Sequence, residues 1–210
     1  MELRAFCIQQ GLPFVRFDYS GHGLSGGDFA DGCISAWLVD TLAIIDKVAA
    51  EEVIIVGSSM GGWLALLAAL QRREQVHGLL LIACAADMTK NYPKRLQGLP
   101  LKLDSQQRAY YSVANEYDDQ QPYSIYQHLI DDGLSHYLLG HDIDLDIPVR
   151  LIHGINDEVV EWQRSAQVMN CLKSKEVNLL TIKSGDHRLS TRENLNSIRY
   201  LLLDLLAAVK

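Results

Sequence analysis

Val53-Ile-Ile-Val-Gly-Ser-Ser-Met-Gly-Gly-Trp-Leu-Ala-Leu-Leu-Ala-Ala-Leu70 is a β-branched run, a glycine-rich turn and a long apolar run, in that order. The pattern predicts a strand, a tight turn and a buried helix, with Ser59 at the apex. Gly57 and Gly61 stand two residues either side of Ser59, which completes G-x-S-x-G. Such a turn lifts a serine hydroxyl out of the sheet edge. The positions two before and two after crowd each other unless they lack a Cβ. The chain has 14 serines, and at a glycine frequency of ~7% chance gives roughly 0.07 such matches. The bland alternative is a plain strand-to-helix glycine turn.

Outward from this stretch, helices and strands alternate. Glu2–Gln10 predicts the end of a helix, stopped by Gly11 and Pro13. Pro13–Asp18 is short and β-prone, and Tyr19–Gly27 is a glycine loop. Ile34–Ala50 has an amphipathic helical period, and Glu51 and Glu52 separate it from the Ser59 strand. Gly78–Ala85 is a continuous apolar run, as expected of a strand buried on both faces of a parallel sheet. Pro148–His153 and Val177–Ile182 predict two more strands, with a helix over Glu161–Leu172 between them. Ser190-Thr-Arg-Glu193 predicts a capping box, and apolar residues at 195, 198, 202, 205 and 209 form the stripe of a last helix. The fold class is α/β, a mostly parallel sheet flanked by helices.

Residues 87–146 differ in composition. They are polar, hold seven of the nine tyrosines, including Tyr117, and alternate weak helical patches with turns. An insertion of about 60 residues makes a marginal core by itself. We therefore expect one domain over 1–210 with a lid at 87–146. Its aromatic content suits an acyl chain, although packing alone explains it as well.

Composition excludes several function classes. A net charge of −7 and no basic cluster argue against nucleic acid as partner. Cys7, Cys33, Cys84 and Cys171 are scattered and form no C-x-x-C, which indicates reduced thiols. No apolar run reaches the ~18 residues of a membrane span. The start lacks a signal pattern, so a cytoplasmic address is expected.

Chemistry in an open parallel sheet collects at the carboxyl ends of the strands. Three loops there carry Ser59, Asp157 and His187 in chain order, the order expected after a nucleophile elbow. Ser59 needs a base to become a nucleophile, His187 would move its proton, and Asp157 would fix the imidazole tautomer. Glu158 and Asn156 are the fallbacks for the acid, and Asp186 reads as a loop cap. Among the other histidines, His77 precedes a strand. His128, His136 and His141 fall in the lid, and His153 faces its own loop. His22 sits in the glycine loop at the functional edge and is a candidate substrate-binding residue. The backbone N–H of Met60 is the candidate oxyanion donor.

The motifs Arg16-Phe-Asp-Tyr-Ser-Gly21, Val56–Leu64, Ala83–Asp87, Leu151–Val159 and Asp186-His-Arg188 resemble the α/β-hydrolase superfamily. More narrowly, they are similar to the abhydrolase domain-containing protein ten group of palmitoyl-protein thioesterases and acyl-glucuronide esterases. The similarity covers nearly the whole chain and is weakest in the lid. It implies an acyl-serine intermediate, no cofactor, and the same three residues in the same roles, acting on a small-molecule or acyl-protein ester. It also implies N-terminal strands and an oxyanion loop ahead of Met1, both missing here. A truncated reading frame is therefore expected, or else direct pairing of Pro13–Asp18 with the Ser59 strand. Two functions follow: a serine esterase or thioesterase, or a catalytically impaired hydrolase-fold fragment that only binds.

Overall fold

The two central parallel strands, Val76–Ile82 and Val149–Gly154, are mostly apolar because both of their faces are covered. The computed structural model describes residues 2–48, 52–114 and 122–209. Ala49, Ala50, Glu51 and Tyr117 lie outside the described residues. In chain order the elements are α1 (Glu2–Gln9), α2 (Ile34–Lys47), β1 (Val53–Ser58), α3 (Met60–Gln71), β2 (Val76–Ile82), α4 (Tyr92–Arg95), β3 (Leu101–Leu103), β4 (Ala109–Val113), β5 (Tyr123–Tyr126), α5 (Gln127–Gly133), β6 (Val149–Gly154), α6 (Gln163–Cys171), β7 (Val177–Ile182) and α7 (Arg192–Ala208). The chain forms two compact units. The first comprises Met1–Phe17, Thr41–Ala86 and Leu138–Lys210; the second comprises Asp18–Asp40 and Asp87–Tyr137.

In the first unit a parallel sheet runs β1-β2-β6-β7. Its register lines up the strand ends: Ser58 pairs with Ile82, Ile82 with Ile152 and Ile152 with Leu180. The exit loops of these strands therefore open along one edge. A core of Leu80, Ile82, Ile152, Ile198, Leu201, Leu202 and Leu205 forms where the apolar stripe of α7 meets the sheet. The stripe is the one expected from the sequence, but the helix cap is one residue later. Thr191, extended at φ −66° and ψ 159°, accepts the Asn194 N–H, so Thr191 and not Ser190 is the N-cap.

Pro13–Asp18 is not a strand. Only Phe14 and Phe17 in it are half-buried, the rest being exposed, and Phe14 packs on the core. Among the described residues no strand lies beside it, and β1 is paired on one side only, with β2. Without a hydrogen-bonded ladder an extended segment stays irregular however β-prone its residues are. Gly78–Ala85 also shifts: β2 is Val76–Ile82, and Ala83, at φ 46°, already turns out of the sheet.

The second unit holds an antiparallel sheet, β3-β4-β5, where the sequence predicts only weak helices and turns. Its strands are three to five residues long, too short for a period to register. Tyrosine supplies the pairing surface: Tyr110 lies opposite Tyr126, with ring centroids 5.6 Å apart. Leu96, Ile125 and Ile130 form a small core beneath it. Arg108 ties the unit together through Asp28, Asp31 and Asp104.

Candidate active site

Ser59 sits between β1 and α3 with φ 53° and ψ −120°. A non-glycine residue rarely adopts this backbone, and it costs on the order of 1–3 kcal/mol. Neighbours hold it there. The Ser59 N–H donates to the Ile82 carbonyl at 2.9 Å, and the Ser59 carbonyl accepts the Ala85 N–H at 3.0 Å. A Cβ on Gly57 would lie 2.3 Å from the Gly61 carbonyl oxygen. That is the crowding which makes glycine obligatory two residues before the serine. Met60 opens α3, so its amide lies at the helix N-terminus beside Ser59.

The loops after β6 and β7 meet by a similar contact. A Cβ on Gly154 would lie 2.2 Å from the Gly185 carbonyl oxygen, and one on Gly185 would lie 2.9 Å from the Gly154 Cα. The Asn156 N–H donates to the Gly185 carbonyl at 3.0 Å, locking the two loops together. Asp157 and His187 thereby come within reach of each other. His187 Nδ1 lies 2.7 Å from Asp157 Oδ2, and His187 Nε2 lies 3.0 Å from Ser59 Oγ. The carboxylate accepts, so Nδ1 carries the hydrogen, and the Nε2 lone pair is left to accept the Ser59 O–H.

Asp157 is buried, whereas the fallbacks Asn156 and Glu158 are exposed. Its Oδ1 accepts the N–H groups of Val159 and Val160, both at 2.8 Å. Burial pushes its carboxyl up, but hydrogen bonds from His153, His187 and the Val160 amide outweigh that and hold it well below the usual range. Asp186 is exposed, and its Oδ1 accepts the Leu189 N–H at 2.8 Å, a loop cap as expected.

His153 shows more than the sequence suggests. Its Nε2 does face its own loop, at 3.0 Å from the Val160 carbonyl, but it also lies 3.0 Å from Asp157 Oδ2. Its Nδ1 meets Ser165 Oγ at 2.7 Å. The available signal was the H-x-x-x-D spacing of His153 and Asp157 across a strand end. Ser165, on α6, gives no signal in sequence. His22 belongs to the second unit, where its ring packs edge-on to Tyr19, Phe29 and Trp37. His128 meets the Gly32 carbonyl and His136 meets Ser35, also within that unit. Among the described residues no group of three or more His, Cys, Asp or Glu is placed to hold a metal ion, and no helix is long and apolar enough to cross a membrane.

Three comparisons bear on this geometry. The family described as Serine aminopeptidase, S33, matches residues 3–141. The mouse mitochondrial palmitoyl-protein thioesterase ABHD10 is 37% identical over 203 residues, 96% of this chain and 67% of that protein. The solved structure of mouse α/β-hydrolase domain-containing protein 10 covers 100% of this chain and 83% of its own, at 34% identity and a TM-score of 0.87. The curated relatives from mouse, orangutan, rat, human and cow are all named mitochondrial, which overturns the cytoplasmic address expected from the sequence. An address segment lies outside the folded core, so its absence from these residues carried no information.

Proposed function

This chain belongs to the serine aminopeptidase S33 family as an α/β hydrolase of the ABHD10 kind, and on that ground we propose that it cleaves acyl esters or thioesters through an acyl-serine intermediate. Ser59 Oγ attacks the acyl carbonyl carbon while His187 Nε2 takes its proton. Asp157 holds the Nδ1–H tautomer and stabilises the imidazolium that forms. The Met60 N–H donates to the tetrahedral oxyanion. His187 then protonates the departing alcohol or thiol. A water molecule deacylates Ser59, with His187 as base again.

The observation that carries this mechanism is the His187 ring, 3.0 Å from Ser59 Oγ on one side and 2.7 Å from Asp157 Oδ2 on the other. The relatives are named palmitoyl-protein thioesterases. A long-chain acyl thioester is accordingly our first substrate class, and a binding-only fragment is not favoured. Residues 87–146 we take as an insertion within one hydrolase domain spanning 1–210.

The test compares wild type with Ser59→Ala on a p-nitrophenyl acyl ester and an S-acyl peptide, alongside fluorophosphonate labelling. Wild type is expected to turn over both and to label. Ser59→Ala should lose roughly 10⁴-fold or more in kcat and all labelling. Labelling that persists in Ser59→Ala sinks the nucleophile assignment.

A further inference from the structure

We propose that His153, oriented by Ser165, is a positioning residue for this site: it donates Nε2–H to the Asp157 oxygen that holds His187. The proposal rests on the roles given above to Ser59, Asp157 and His187.

The argument starts from the proton on His153. Its Nε2 faces two acceptors, Asp157 Oδ2 and the Val160 carbonyl, each at 3.0 Å. A carbonyl oxygen only accepts, so Nε2 must carry a hydrogen. In the neutral ring Nδ1 is then a bare lone pair, and the Ser165 O–H, 2.7 Å away, donates to it. His153 and Ser165 are both fully buried, so no water competes for either contact. The two acceptors thus fix the tautomer, Ser165 steadies it by donating to Nδ1, and the tautomer aims an N–H at the carboxylate.

That N–H completes the surroundings of Asp157. Oδ1 takes the Val159 and Val160 amides, and Oδ2 takes His187 Nδ1 and His153 Nε2. The two amides hold Oδ1 but leave Oδ2 free to swing about the side-chain torsion. A second N–H on Oδ2, from His153, restrains this swing. His153 itself sits near the end of β6 and is held by Ser165 in the first turn of α6, two regular elements. The contact has an electrostatic effect too. A second donor on Oδ2 draws charge away from the oxygen that His187 feels, so it weakens the stabilisation of the His187 imidazolium. Among the described contacts, the titratable groups facing this cluster are Asp157, His153 and His187 themselves.

The experiment uses the full chain with His153→Leu, His153→Gln and Ser165→Ala, each checked for folding by thermal melt. Rates on a p-nitrophenyl acyl ester are followed from about pH 5 to about pH 9. His153→Leu is expected to lower kcat about 10- to 100-fold with KM nearly unchanged. The acid limb of kcat/KM should move up by about half a pH unit, because the carboxylate left with three donors favours the imidazolium more. Ser165→Ala should move both quantities in the same direction by less. His153→Gln keeps an N–H donor and should recover most of kcat and return the limb. A folded His153→Leu or Ser165→Ala with unchanged kcat and an unmoved limb overturns the proposal, as does a loss that tracks only the unfolded fraction. If His153→Leu does not fold, Ser165→Ala, which deletes one hydroxyl, decides. If wild type and Ser59→Ala hydrolyse alike, the site assignment has failed separately, and ¹⁵N imidazole shifts then decide. A protonated Nε2 with a bare Nδ1 on His153 in wild type upholds the contact, and a protonated Nδ1 with a bare Nε2 overturns it.

Discussion

The two ends of β6 each bury a charge, by opposite means. Past the carboxyl end, the Asp157 side chain is 0% exposed and surrounded by N–H donors from two loop amides and two histidines. At the amino end, the Arg150 side chain is 3% exposed and meets the carboxylates of Asp204 and Glu176, which are 42% and 60% exposed. The Glu176 carbonyl accepts from it as well, at 3.1 Å. Arg150 is therefore cancelled by full charges that themselves reach water. Asp157 is stabilised by dipoles and keeps its net charge. A charge solvated by dipoles still has a field to offer when an imidazolium forms beside it, whereas a cancelled charge has little. The difference separates a buried ion suited to chemistry from one suited to tying a helix to a sheet.

The largest effect that could break this contrast is at Asp157. Asp157→Asn should lower kcat roughly 10⁴-fold, because an amide cannot hold the His187 tautomer as a carboxylate does. A fall of about tenfold or less, measured on folded protein, would make Asp157 as dispensable to chemistry as Arg150. Its titration gives a second handle. The folded carboxyl lies below its usual value of about 3.9, since burial raises it but the donors lower it further. A depressed folded pKa stabilises the native state above the unfolded pKa, and that contribution is lost as pH falls through the folded one. Urea midpoints of wild type and Asp157→Asn should therefore differ most above about pH 5, and the gap should begin to close only below about pH 4 and keep closing as pH falls towards the folded value. A gap independent of pH would contradict the dipole-solvated carboxylate.

The next effect tests how the acid is brought to the base. Gly154→Ala sets a Cβ 2.2 Å from the backbone oxygen of Gly185, which cannot rotate away. The two loops must part, and Asp157 moves relative to His187. We expect a loss of about 1–3 kcal/mol in stability and of about 10²-fold in kcat. Unchanged kcat with lowered stability would mean that the glycine contact serves packing alone.

The meeting of the three candidate residues was legible for a reason that applies to few others. Ser59, Asp157 and His187 each follow an apolar run that had to be a strand, and strand ends in a parallel sheet converge. G-x-S-x-G reports a steric contact between Gly57 and Gly61, so it is written in the sequence itself. His153 and Ser165 were only partly legible, because their contact joins a strand end to a helix through side chains and leaves no spacing rule. Pro13–Asp18 misled because β-propensity is a property of residues whereas a strand is a property of a pair. The β3–β5 sheet was missed for the opposite reason: its ladder exists, but each strand is too short to show a period. The one-residue error at Thr191 turned on a backbone torsion.

The smallest effect is expected at the other end of β6. Arg150→Met removes the guanidinium but keeps much of the apolar stem that packs between strand and helix. Removing one partner of a buried pair usually costs most when it strands the other in a dry site. Here Asp204 and Glu176 are partly exposed and can turn to water. The carbonyls of Val149 and Glu176 lose a donor, at 3.3 and 3.1 Å. The loss should then be about 1–3 kcal/mol, read as a lower urea midpoint with unchanged slope. The kcat of the folded fraction should stay at the wild-type value, because nothing at this end of the strand touches His187. A fall in kcat as large as that of Gly154→Ala would mean that the two ends of β6 are coupled through the strand, and the division between a chemical and a structural buried charge would fail.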